Sequence, residues 1–395
     1  MLNKKRKERH IWIDIIITLL ALELMAYFYY GMKALMLGGV CIAVSLAAEL
    51  ITLRLLHRKF TADDLTCTSD GLITALMMPA AISLRIPVIA CVFAVIAAKN
   101  IFGGRHNMIF SPAAAAYLFV LTSWKDQLLS CPQPYDKMGI FEKAENVSYS
   151  ASYIFNNTGK FSASDYEILL GSFAGPMGAV SILLLLVSAA VLIFRKDISI
   201  GAFAGTIFGT AFMAYVCPVI SDRIASVKYV LVTNMILFAA IYIISDMRIA
   251  PQKNYYAFFY GLFIAVSAYI VMLTTGKENV IVIMSVLFTP LALAFRSLEK
   301  KIDTAAHLEA LEAAEAENAA EAVTSETGAA ASETENVSVN EEENEVSAEE
   351  ALSAESDSPE AEPEKSDVSD AETTEEAQEN TADEAPEGDE SNEKV

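Results

Sequence analysis

Apolar runs separated by short polar stretches fill the chain from about residue 11 to residue 295. They cover 11–32, 34–56, 71–84, 86–102, 110–124, 173–194, 198–220, 227–244, 255–275 and 280–295. A bilayer span needs roughly 20 apolar residues, so the pattern predicts an all-α polytopic membrane protein with about ten transmembrane helices. The runs divide five and five about a polar segment at 125–171, which predicts two five-helix halves, 11–124 and 172–301. An odd number per half gives related halves opposite topologies, as in transporters built from inverted repeats.

Two places break the pattern. Run 71–84 contains Pro79, and between runs 86–102 and 110–124 stand Gly103, Gly104, Arg105, His106, Asn107, Ser111 and Pro112. In lipid, backbone that leaves the helix must be buried in protein or line a cavity. The stretch from Ser69 to Ala116 is therefore the first place to look for a site.

The chain is 54% hydrophobic with a mean hydropathy of +0.38, as such spans require. The formal charge of -22 is concentrated at one end: from Asp303 onward there are 32 acidic residues and two lysines, and the remainder carries +8. Residues 302–395 have too little apolar surface to offset chain entropy, which predicts a disordered acidic tail with a short helical extension at 307–323. Basic residues cluster in the N-terminal segment 1–10 and at alternate ends of the runs. By the positive-inside bias this puts both termini in the cytoplasm and the 125–171 loop outside a bacterial cytoplasmic (inner) membrane. The first run is too long for a signal peptide and has no small-residue cleavage site, so it is read as a retained span.

Cys41, Cys67, Cys91, Cys131 and Cys217 show no C-x-x-C spacing and read as small buried residues. His10, His57, His106 and His307 lack ligand spacing, so no protein-bound metal is expected. No nucleotide-binding motif and no sign of a nucleic-acid partner is present.

Asp70 opens a short span, where an ionisable group either faces a polar cavity or caps the helix. Lys99 lies near the end of run 86–102. Gly103 and Gly104 permit backbone closed to other residues and the close approach of a planar ligand or a helix. Val147 to Ser152 presents a dense set of hydroxyls, the groups needed wherever a phosphate is esterified to protein.

Ser69-Asp70-Gly71 with Thr74 and a Pro-terminated Leu/Met run, Lys99-Asn100-Ile101-Phe102-Gly103-Gly104, and Phe110-Ser111-Pro112-Ala113 resemble RnfD, a membrane subunit of the Rnf electron-transport complex, and its relative NqrB of the sodium-pumping NADH:quinone reductase. Leu170-Gly171 with Gly175-Pro176-Met177-Gly178, and Ser245-Asp246-Met247-Arg248-Ile249-Ala250-Pro251, are similar to two later segments of that family. The resemblance covers residues 10 to 301. It implies a subunit of a redox-driven translocase that passes electrons between ferredoxin and NAD, both handled by partner subunits, and exports sodium or protons. It also implies FMN joined by a flavin transferase to a hydroxyl of the outer loop, Ser152 first and Ser150 or Thr158 behind it, with a riboflavin or second flavin among the helices.

Under the same resemblance, Gly103 and Gly104 are cofactor-binding candidates, and Asp70, Lys99 and Asp246 are ion-path or structural ones, with no catalytic residue on this chain. The breaks at Pro79 and Gly103-Gly104 are the candidate gates. This sequence departs from the flavin motif: Ser152 stands for Thr, Ser150 for Gly and Tyr153-Ile154 for Pro-Leu, while His106-Asn107-Met108 and Ser111 depart in the Gly-Gly segment. The spans equally suit a solute channel or secondary transporter without redox role, and the departures suit a flavin-less scaffold subunit. The presence of flavin separates these readings.

Overall fold

The computed structural model describes residues 2–104, 108–140, 142, 146–161 and 163–333, with side chains described except at 2–10, 62–63 and 312–333. Arg105, His106 and Asn107 lie outside the described residues, as does the acidic tail beyond Glu333. The described residues up to 321 form one packed unit.

Most of the described residues are helical and only two short strands are paired, so the protein is all-α and polytopic, as its apolar runs require. In order the helices are α1 (Leu2–Tyr30), α2 (Met32–Leu55), α3 (Thr66–Leu76), α4 (Arg85–Phe93), α5 (Pro112–Ser123), α6 (Lys125–Leu129), α7 (Ala151–Thr158) and α8 (Asp165–Leu170). Then come α9 (Ile182–Arg195), α10 (Ile200–Val216), α11 (Arg223–Val232), α12 (Ile236–Ala239), α13 (Asn254–Thr275), α14 (Val280–Leu287) and α15 (Thr289–Glu333). Two residues each of β1 (Cys131–Pro132) and β2 (Val147–Ser148) pair antiparallel in the 125–171 segment.

Each of the ten apolar runs carries helix, but not each as one full-length span. Ile11–Tyr30, Met32–Leu55 and Asn254–Thr275 are long and apolar enough to cross alone. Arg223–Val232 with Ile236–Ile244, and Val280–Leu287 with Thr289–Leu311, are pairs bent by 56° and 44°. The others are shorter because prolines, glycines and left-handed residues interrupt the hydrogen-bond ladder.

Backbone freed at these interruptions pairs with other broken backbone, as a bilayer demands. α3 stops at Leu76, and its carbonyl accepts from Gly178 N at 2.7 Å while Met78 O accepts from Met177 N at 3.2 Å. Only glycine fits at 178: a Cβ there would lie 2.7 Å from Leu76 Cβ and 2.8 Å from the Phe238 ring. The Pro79 break and the 171–180 segment thus close on one another. α10 and α13 meet backbone to backbone, since a Cβ at Gly201 or Gly205 would come within 2.1 Å of Asn254 O or Phe258 O, and one at Gly261 within 2.3 Å of Ala202 O. Small residues four apart permit this approach.

Asp14 pairs with Arg195 at 2.6 Å, and Ser199 N donates to Ser245 O at 2.9 Å. The start of α1 and the end of α9 therefore share one face with the 245–251 turn, the amino-terminal face. Met138 N bonds Tyr30 O and the Tyr29 hydroxyl bonds Leu170 O, which sets the 125–171 segment on the opposite face. α15 continues to Glu333, past Asp303 where composition alone predicts a disordered chain. Ala, Glu and Leu are strong helix formers, and a continuing helix needs no apolar core to start it.

Candidate functional site

Three polar clusters are built where helices break. The first lies on the amino-terminal face. α3 starts at Thr66, so Asp70 sits a turn inside the helix and is not its cap. It is 1% exposed and receives Arg248 Nη2 at 2.7 Å and Nη1 at 3.2 Å. The other edge of the same guanidinium reaches Asp246, with Nε 2.8 Å from Oδ2 and 3.0 Å from Oδ1. Asp246 is in place because α12 runs into a π-helical turn, Ala240–Ile244, that ends at Ser245, whose hydroxyl and amide both bond Ala240 O. Behind the turn, Arg296 of α15 donates to Ala250 O, and Glu299 accepts from the amides of Gln252 and Lys253.

The second cluster joins α2 to the end of α4. α4 continues as a π-helical segment, Ala94–Asn100, and the wider turn brings two consecutive side chains to α2. Lys99 Nζ lies 2.9 Å from Glu49 Oε1, and Asn100 Nδ2 lies 3.0 Å from Glu49 Oε2. The ion pair is fully buried, with both side chains at most 2% exposed. Gly103 and Gly104 follow with φ of 102° and 73°. They form the turn that ends this segment. Beside them an open groove of about 500 Å³ is walled by Phe93, Ala97, Phe102, Phe110 and Phe119, almost wholly apolar.

The third cluster gathers around α7, on the opposite face. Ser150 caps the helix, accepting from Tyr153 N at 3.1 Å, and donates to the buried Glu278 carboxylate. Ser152 is 5% exposed and its Oγ accepts from Asn234 N at 3.2 Å. Asn234 and Met235 are left-handed, with φ of 60° and 55°, and separate α11 from α12. Asn156 and Asn157 reach Asn234 Oδ1 and Gly276 O. α7 is thus the plug of a broken helix. Thr158 stands apart, exposed at the end of α7 and bonded to Ile154 O.

Burial lifts the Glu278 carboxyl from 4.5 to about 7, against the Ser150 hydrogen bond that pulls the other way. The cavity beside it, lined by Asn234, Tyr269 and Lys277, holds about 10 Å³, room for one water. Ser150 and Ser152 do not line this cavity; both are buried and hydrogen-bonded. A cavity of about 450 Å³ opens nearby, within the range of ligand sites, lined by Lys125, Ser130, Ser148, Tyr149, Tyr153 and Lys277. Tyr149 and Tyr153 stack with centroids 4.9 Å apart. Two ammonium groups, the Asp126 carboxylate, two phenol rings and the Ser148 hydroxyl line it, a set that fits a phosphorylated aromatic ligand; of the serines of 147–152, Ser148 alone lines this space.

Sequence reasoning picked Asp70, Asp246 and Lys99 separately but missed that Arg248 joins the first two and that Glu49 pairs with the third. Arg248 stood inside a motif and among the basic residues that set the orientation, while Glu49, Glu278 and Asn234 were passed over. The signal existed for Glu49, an acid within an apolar run.

The family model described as NQR2, RnfD, RnfE matches residues 1–295. The D component of a Na(+)-translocating ferredoxin:NAD(+) oxidoreductase complex from Acetobacterium woodii is 28% identical over 199 residues, half of this chain and 61% of the relative. The D components of ion-translocating oxidoreductase complexes from Shewanella frigidimarina and Pectobacterium atrosepticum are 34% and 31% identical, over 27% and 35% of this chain and 31% and 40% of theirs. In each case the match spans less than two thirds of the relative.

Proposed function

The chain belongs to the NQR2, RnfD, RnfE family, and on that basis we propose that it is the RnfD-type membrane subunit of an ion-translocating ferredoxin:NAD oxidoreductase complex, coupling electron transfer to export of sodium or protons. Partner subunits handle ferredoxin and NAD. Both termini are cytoplasmic in this reading, so the Asp70 cluster faces the cytoplasm and α7 the outside.

The observation that carries the proposal is the Asp70–Arg248–Asp246 link. One guanidinium ties α3, which stops before Pro79, to the turn that ends the broken α11–α12 helix. A small cation arriving at Asp70 competes with Arg248 for the carboxylate, so it favours the arrangement in which the two broken segments separate. That is the requirement for a ligand to shift a conformational equilibrium. Outward movement of a cation costs about 2.3 kcal/mol per charge per 100 mV, which sets the load electron transfer must drive.

Flavin mononucleotide is assigned to the cavity of about 450 Å³, with Lys125 and Lys277 for its phosphate, Tyr149 and Tyr153 for its ring and Ser148 as the hydroxyl within reach. Such a group supplies one- and two-electron transfer; the protein positions it and controls its solvent. Ser152 keeps its task at the α11–α12 break.

The test is expression with the native partner subunits in sealed vesicles, measuring ferredoxin-driven NAD reduction, sodium or proton uptake, and flavin fluorescence of the denatured chain. Coupled uptake that falls in Arg248→Gln supports the proposal. A colourless chain that moves solute on its own overturns it.

A further inference from the structure

The buried ionisable groups of the clusters above all have partners: Asp70 and Asp246 share Arg248, Glu49 has Lys99, Glu278 has Ser150, Asp14 has Arg195 and Glu299 has two amides. Glu23 of α1 differs. It is 3% exposed, and among the described residues no side chain hydrogen-bonds Oε1 or Oε2; only the Gly38 backbone of α2 lies against the carboxylate. It lies seven residues before the end of α1, about 10 Å along the helix, so it is well inside the hydrocarbon depth. An ionised carboxylate cannot stay there alone. It is protonated or it holds a counter-cation.

The surroundings are shaped for it. Gly38 of α2 faces the carboxylate so closely that a Cβ would come 2.3 Å from Oε1 and 2.6 Å from Cδ. From Gly38 the same face of α2 continues through Cys41 and Ser45 to Glu49, at helical spacing. Cys91 of α4 touches both Cys41 and Ser45. Gly71 of α3, next to Asp70, leaves room for the Ser45 hydroxyl.

Cys41 and, behind it, Cys91 are the titratable neighbours on α2 and α4. On α3 and α9, which also pack against α1, Asp70 and Arg195 are engaged elsewhere.

We propose that Glu23 is a membrane-embedded binding site for a small monovalent cation, a proton or Na+, reached from the amino-terminal face along the Glu49–Ser45–Cys41 side of α2. This rests on the ion-translocating reading and supplies it with a second carboxylate, at depth, beyond the Asp70 cluster. A site in mid-membrane separates loading from release, which any coupled pump needs.

The test uses the hydrophobic reagent dicyclohexylcarbodiimide on the whole complex in native vesicles. It adds to a protonated carboxyl and rearranges to a stable N-acylurea with no group lost, and the adduct is located by peptide mass spectrometry. Glu23 should be labelled in wild type and the peptide unlabelled in Glu23→Gln. Dose-dependent protection by NaCl, but not by KCl at equal ionic strength, identifies sodium; slowing at alkaline pH without protection by NaCl identifies a proton. Unlabelled Glu23 in vesicles where the reagent reaches other carboxyls overturns the proposal, as does labelling that neither NaCl nor pH alters. Ferredoxin-driven NAD reduction, measured on the same vesicles, reports separately on the complex itself.

Discussion

Asp70 and Arg248, 178 residues apart in sequence, form a two-bonded ion pair at 2.7 and 3.2 Å that joins the two halves of the protein. Removing one partner of a buried pair strands the other and costs about 3–5 kcal/mol. Arg248 is 21% exposed, so the lower end applies. Asp70→Asn and Arg248→Gln should each lower the thermal midpoint of the detergent-solubilised protein, and the double variant should lose much less than both combined. Additive losses would show that the pair carries no coupling. Arg248→Lys should behave like Arg248→Gln, because an ammonium cannot hold Asp70 and Asp246 on two edges at once.

Glu49 and Lys99 make a drier pair. Lys99→Met leaves an uncompensated carboxylate inside the α2–α4 contact and should destabilise by about 3–5 kcal/mol, while adding Glu49→Gln to it should restore most of the loss, as apolar or neutral replacements of whole buried pairs do. Thermal unfolding of the three variants reads this directly; a double variant no better than Lys99→Met would contradict it.

Much of this was legible in the pattern of apolar runs, which located the apolar helices and placed the breaks at Pro79 and Gly103-Gly104, while α6, α7 and α8 lie in the polar segment between the runs. What breaks need is less legible. Leu76 O and Gly178 N meet across a hundred residues, and nothing local in Ser150-Ala151-Ser152 says that its hydroxyls are buried against Glu278 and Asn234 rather than exposed on a loop. Single acids such as Glu23 and Glu49 hardly alter the hydropathy of a 20-residue run, so they vanish from a reading made by runs. Gly201, Gly205 and Gly209, four apart on α10, were a signal for close helix packing that the sequence carried openly.

Glu278 makes stability depend on pH. Its carboxyl rises from 4.5 to about 7 on burial, so the folded protein binds this proton more tightly than the unfolded chain. The contribution is complete below pH 4.5 and is lost as pH rises through about 7, a difference on the order of 3 kcal/mol. The thermal midpoint should fall between pH 5 and pH 8, and Glu278→Gln, which stays neutral and still bonds Ser150, should flatten that change. An identical pH slope in the variant would place the titration elsewhere.

Gly178 and Gly39 give a paired test of the fold's closure. A Cβ at 178 meets Leu76 Cβ at 2.7 Å, Phe238 at 2.8 Å and Leu76 O at 3.1 Å, and the 2.7 Å bond from Gly178 N to Leu76 O could not survive the shift that relieves them. Neither neighbour can retreat, since Leu76 and Phe238 are both fully buried. Gly178→Ala should therefore cost several kcal/mol, as overpacking combined with an unsatisfied backbone group does. A Cβ at Gly39, on the exposed side of α2, meets nothing within 4 Å; there alanine removes the flexibility of glycine inside a helix and should stabilise by up to about 1 kcal/mol. Opposite signs in thermal unfolding of the two variants would establish that the Pro79 break is held by the 171–180 segment. A Gly178→Ala protein as stable as wild type would mean that the broken ends of α3 find their hydrogen bonds elsewhere.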